Sequence, residues 1–94
     1  MELSEEQLAK IIEEVRSEYQ IPPYFSNDGL KNFAKEGMRY LLSKNPLGNV
    51  EEDETFQMLL KNYINYAYYH RTNEWKENYA TMILEWILGS EVPE

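Results

Sequence analysis

Phe56, Leu59, Leu60, Tyr63, Ile64, Ala67 and Tyr68 recur at the 0, 3, 4, 7, 8, 11, 12 spacing of one amphipathic helix face. The spacing predicts a helix over 53–70 with these side chains as its buried stripe. After a break at Tyr69-His70-Arg71-Thr72-Asn73, a second stripe of Trp75, Tyr79, Met82, Ile83, Trp86 and Ile87 predicts a helix over 73–88. Together the two make a C-terminal helical hairpin, with Gly89 as its expected stop. Upstream, Leu8, Ile11, Ile12, Val15 and Tyr19 mark the buried face of a helix over 4–19. Ser4 with Gln7 three residues on is a capping box for its start, and Ile21-Pro22-Pro23 ends it, because proline cannot donate a backbone hydrogen bond. Ser26, Asn27 and Asp28 are each competent N-caps for a helix over 27–44 striped by Leu30, Phe33, Ala34, Gly37, Met38, Leu41 and Leu42. A glycine inside a helix costs about 1 kcal/mol relative to alanine, so Gly37 points either to a close approach by another helix, the favoured reading, or to simple tolerance. Asn45-Pro46-Leu47-Gly48-Asn49 forms the following loop, and Glu51, Glu52, Asp53 and Glu54 sit where a helix N-terminus favours negative charge. No segment alternates apolar and polar residues as a strand would. The expected fold is all-α: a small single-domain bundle of about four helices spanning 1–94.

Composition narrows the function classes. The chain has 94 residues, 43% hydrophobic and 28% charged, with net charge −8 and a pI near 4.6. That is a foldable composition despite its acidity. Nine scattered basic residues against seventeen acidic ones disfavour sequence-specific nucleic-acid binding, which relies on clustered Lys and Arg. Zero cysteines exclude disulfides, thiolate metal sites and a cysteine nucleophile, and make the cytosol the default compartment. The apolar runs are short and interrupted, as at Glu85, so neither a signal peptide nor a membrane span is expected.

Catalytic chemistry is poorly supplied. His70 is the single histidine, and at a helix end its protonated ring suits the last carbonyls rather than catalysis. The acidic run lacks the alternating ligands, central glycine and distal glutamate of a calcium loop, and no phosphate loop, nucleophile elbow or zinc-binding helix occurs. The expectation is a non-enzyme without cofactor or metal. Eight tyrosines and two tryptophans are more informative, since such side chains concentrate at protein interfaces. Tyr63, Tyr68, Trp75 and Tyr79 belong to the core stripes. Tyr66 and Tyr69 lie off them and are candidate interface residues, with Arg39, Lys61 and Arg71 as charges available to a neighbour's acidic groups.

Two segments carry a family resemblance. Asn27-Asp28 leads into Leu30-x-x-Phe33-Ala34-x-x-Gly37-Met38-x-Tyr40-Leu41, and Leu59-Leu60-x-x-Tyr63-x-x-Tyr66-Ala67-Tyr68 is followed by Asn73-Glu74-Trp75-x-x-Asn78-Tyr79-x-x-x-Ile83-Leu84. Over residues 3–88 the chain resembles the head–tail connector (adaptor) proteins of tailed bacteriophages. The resemblance implies a structural virion protein forming a ring of about a dozen copies beneath the portal. Such a ring extends the DNA channel for packaging retention and ejection. The implied partners are other copies of the chain, the portal protein and a neck or tail-completion protein. The implied location is the capsid–tail junction, assembled in the cytoplasm of a bacterial host from a phage or prophage gene. An acidic channel wall lets the duplex slide. Some members dock through a longer C-terminal extension, whereas here only Ser90-Glu91-Val92-Pro93-Glu94 follows Gly89, so the loop from Lys44 to Val50, with Pro46 and Leu47, becomes the docking candidate. The residue pattern leaves two other readings open. One is a monomeric or dimeric acidic module that offers the groove between the third and fourth helices to a partner helix. The other is a DNA-mimicking inhibitor, disfavoured because the carboxylates cluster instead of tracking a duplex-like line.

Overall fold

The computed structural model describes residues 4–49 and 52–91, with side chains as far as residue 89. Leu3, Val50, Glu51 and the tail residues 92–94, which the sequence reading placed in the connector-like region, the loop, the acidic cluster and the tail, lie outside the described residues. Among the described residues the chain is all-α: α1 (Glu5–Tyr19), α2 (Asn27–Lys44), α3 (Glu54–Tyr68), α4 (Thr72–Asn78) and α5 (Ala80–Glu91).

Local chemistry sets most of the helix starts. The Ser4 capping box forms reciprocally, the Gln7 N–H donating to Ser4 Oγ at 3.1 Å and the Ser4 N–H to Gln7 Oε1 at 3.0 Å. Ser26, out of three competent candidates, caps α2 by accepting from the Gly29 N–H. Asp53 caps α3, accepting from the N–H groups of Thr55 and Phe56. The Pro22-Pro23 turn is clamped by Arg16. Its guanidinium donates to the Pro22 carbonyl at 3.1 Å, to the Phe25 carbonyl and to Asn27 Oδ1.

Helix α3 is the centre of the bundle. No residue from Thr55 to Tyr68 is fully exposed, and Phe56, Leu59, Leu60, Tyr63, Ile64 and Ala67 are buried as the stripe predicts. α2 packs on it most closely: a Cβ added to Gly37 would lie 2.7 Å from Tyr63 Cδ1 and 2.9 Å from Leu60 Cδ1. The close approach expected from that glycine is therefore present. α1 covers another side of α3, where Lys61 Nζ sits 3.0 Å from Glu18 and 3.6 Å from Glu14. Trp75 of α4 is fully buried, with edge-to-face contacts to Tyr63 (4.9 Å) and Tyr40 (5.6 Å). Its indole N–H finds no acceptor among the described residues, a penalty of about 1–3 kcal/mol that the ring's burial must exceed.

The C-terminal half departs from the sequence reading in three places. α3 stops at Tyr68, not at 70, because His70 adopts a left-handed backbone (φ 59°); its N–H donates to the Ala67 carbonyl and the Arg71 N–H to the Tyr66 carbonyl. This is a Schellman closure in which the backbone, not a protonated ring, satisfies the last carbonyls. The single helix expected over 73–88 is two, bent at Tyr79 (φ −107°, ψ 8°). The bend is anchored from α3: the Tyr79 hydroxyl donates to Asn62 Oδ1 at 3.1 Å, and its ring packs edge-on against Tyr66. Gly89 does not stop the chain's last helix, which continues to Glu91. It has no positive φ, so nothing forces a glycine C-cap there.

Candidate interaction surfaces

Because α3 is covered on nearly all sides, an off-stripe residue on it is not thereby exposed. Tyr66 is half-buried, engaged by the Tyr79 ring and by the Asn78 side-chain amide, which donates to its hydroxyl at 3.3 Å. Tyr69, just beyond the helix, is 56% exposed and touches Tyr68 edge-on at 4.9 Å. Arg71 is exposed and pairs with Glu74 one turn on, at 3.4 Å, a contact of little energetic weight at the surface. Lys61 is engaged by α1 within the molecule. Burial lowers its pKa, but the hydrogen bond it donates to Glu18 and the nearby Glu14 charge more than offset this and leave it raised.

Pro46 and Leu47 lie at the other end of α3. Buried Asn45 holds their turn: its Oδ1 accepts from the Leu47 N–H, and its carbonyl accepts from the Gly48 N–H. Gly48 fits against Phe56 and Trp86, where a Cβ would approach both rings to 2.8 Å. With the backbone fixed, the Leu47 side chain stands 67% exposed. The same end receives the end of α5, since the Trp86 indole N–H donates to the Asp53 carboxylate and its ring packs edge-on against Phe56. Asp53, expected to serve only as a charge near the helix dipole, thus also ties α5 to the start of α3.

The candidate residues therefore fall into two groups, Pro46 and Leu47 at the start of α3 and Tyr69 and Arg71 at its finish, about 22 Å apart along 15 residues of helix. Tyr66 belongs to the interior wall between them. Other exposed apolar side chains escaped the sequence reading. Tyr24, 85% exposed after the two prolines, joins Tyr69 around Tyr68, whose pKa is raised by burial and by the neighbouring Tyr24 and Tyr69 hydroxyls. Leu84 and Leu88 on α5 are both more than half exposed. Their spacing of four residues, off the Ile83/Trp86 stripe, is the signal that could have found them.

Set against family models, curated proteins and solved structures, the chain matches none. Among the described residues no three His, Asp or Glu side chains are placed to hold a metal ion. No helix there is long and apolar enough to cross a membrane. What the surface offers is exposed apolar side chains near both ends of α3 and on α5, with charge along the sides.

Proposed function

We propose that this protein is a structural subunit of the head–tail connector of a tailed bacteriophage, repeated about a dozen times in a closed ring beneath the portal. One end binds the portal and the other a neck or tail-completion protein, so that the ring continues the DNA channel at the capsid–tail junction. The observation that supports this best is the placement of exposed apolar side chains near opposite ends of α3: Tyr24 and Tyr69 by its finish, Leu47 by its start. A subunit stacked between two partner rings needs apolar contacts at two such ends. The resemblance over residues 3–88 names the assembly; the two ends supply its physical requirement.

The test is sedimentation velocity over a concentration series to about 1 mM, the range in which even contacts of −4 kcal/mol are populated, with electron microscopy of the large species. Closed rings with a central hole that admits duplex DNA are expected. A chain that remains monomeric or dimeric throughout overturns the reading. It would leave the second one, a module binding a partner helix, which is favoured by the recess between α3 and α5 lined by Met58, Met82 and Trp86.

A further inference from the structure

Charge on this molecule is segregated by helix. α2 carries four of the nine basic residues, Lys31, Lys35, Arg39 and Lys44, and two of the seventeen acidic ones, a net +2 in a chain of −8. Lys31 pairs with Glu5 of α1. Lys35 and Arg39 are exposed and make no ion pair among the described residues, although carboxylates outnumber basic groups almost two to one. Lys44 and Lys76 lie apart from this pair, both over the Tyr40 ring at 5.4 and 4.8 Å. Lys35 and Arg39 are each two residues from Gly37, the point of contact with α3, and two residues turn a helix a little more than half way round. The basic ridge therefore faces away from α3.

The far side of α3 has the opposite character. Met58 lies two residues before Leu60, which meets α2, and so looks the other way. It floors two recesses at once. One lies toward α1, with Glu18, Tyr19 and Glu54; the other lies toward α5, with Met82, Glu85 and Trp86. Sharing Met58, they border one another beside the first half of α3; Lys61 also lines the α1 side, where it is paired with Glu18 and Glu14, so the carboxylates left free are Glu54 on that side and Glu85 on the other. Glu54 and Glu85 are exposed and make no ion pair among the described residues.

We infer that the groove over Met58 receives the α2 face of a second copy of this chain, so that copies join head to tail. This rests on the ring reading above and gives it a lateral contact. Charge complementarity selects the occupant: Glu54 and Glu85 stand unpaired on the groove, which runs beside α3 from Asp53 to Lys61, and the molecule's exposed, unpaired basic pair, Lys35 and Arg39, sits one helical turn apart on α2. The Lys35 and Arg39 stems can lie on the methionine floor while their charged ends reach Glu54 and Glu85. Because the two faces are different surfaces on opposite sides of α3, the contact is heterologous. Such a contact leaves a free face on every dimer and propagates until the rotation closes a ring.

The experiment uses two double variants of exposed residues, Lys35→Glu/Arg39→Glu and Glu54→Lys/Glu85→Lys, each first shown by circular dichroism to keep the wild-type helix content. At a concentration where the wild type forms large species, each variant alone is expected to sediment as monomer, its association weakened at least ~10-fold. A 1:1 mixture is expected to recover the large species, because each variant's altered face now meets its complement. If the wild type associates and the variants do so equally well, or the mixture fails to recover, this contact is overturned while the ring reading stands. If the wild type itself stays monomeric to about 1 mM, both fall.

Discussion

His70 closes α3 with a left-handed backbone that glycine adopts freely and other L-residues adopt at a cost of about 1–2 kcal/mol. The side chain is exposed, so nothing is lost by removing it. His70→Gly is therefore expected to stabilise the fold by about 1 kcal/mol, read as a higher urea midpoint at unchanged slope, and His70→Val to destabilise it. Arg16 is the opposite case, a side chain whose loss matters. Its planar fork serves the Pro22 and Phe25 carbonyls and Asn27 together, and an ammonium cannot match that geometry. Arg16→Lys should cost about 2 kcal/mol, with the first losses in hydrogen-exchange protection at the start of α2. Neither role was legible in the sequence. A capping box is a local pattern, and Ser4 with Gln7 could be read directly. Arg16 reaches carbonyls six to eleven residues away across a proline turn, and His70 stands where a glycine would have advertised the closure.

At the scale of elements, Gly37 sets how closely α2 can approach α3. Gly37→Ala gains about 1 kcal/mol of helix propensity, but its methyl group would press on the Tyr63 ring, which is itself held against Trp75. Overpacking of this kind costs about 1–3 kcal/mol, so a net loss is expected in denaturant titration despite the better helix former. The apolar stripes revealed α1 and α2 nearly to the residue, because each has one buried face, and α3 to within two residues, because its most deeply buried side chains still follow one stripe. They failed for the last segment. A single stripe from Trp75 to Ile87 describes one straight helix, whereas Asn62 and Tyr66 of α3 hold Tyr79 at a bend, and that partnership depends on tertiary packing. The same packing marks the pH response. Tyr19, Tyr63 and Tyr79 have pKa values raised above 10.0, chiefly by burial. Lys61 is raised above 10.5, burial opposing and its two glutamates prevailing. A raised folded-state pKa means that the folded chain holds protons the unfolded chain has released, so these contributions are complete below about pH 10 and are lost as pH rises through the folded values. Urea midpoints should fall from about pH 10 upward, and Tyr79→Phe should make that fall shallower; an unchanged slope would remove Tyr79 from the account.

For the whole molecule, the proposed connector reading divides assembly between two kinds of surface: apolar ends for partners along the channel axis and charged sides for neighbouring copies. The division is testable because the candidate tyrosines differ in what they touch. Tyr24 and Tyr69 are exposed at one end, whereas Tyr66 supports Tyr79 inside the α3–α4 wall. Tyr24→Ser/Tyr69→Ser should change unfolding stability by no more than about 0.5 kcal/mol and leave concentration-dependent self-association at the wild-type level. Tyr66→Ser should destabilise by about 2 kcal/mol, through the lost ring pair and the uncovered Tyr79. If the exposed pair proves necessary for self-association, the aromatic end belongs to the contact between copies, and the assignment of ends to axial partners is wrong. If self-association survives without those tyrosines but fails with Lys35→Glu/Arg39→Glu, the lateral contact depends on the charged sides. The aromatic end then remains available for a partner along the axis, as a connector stacked between portal and neck requires.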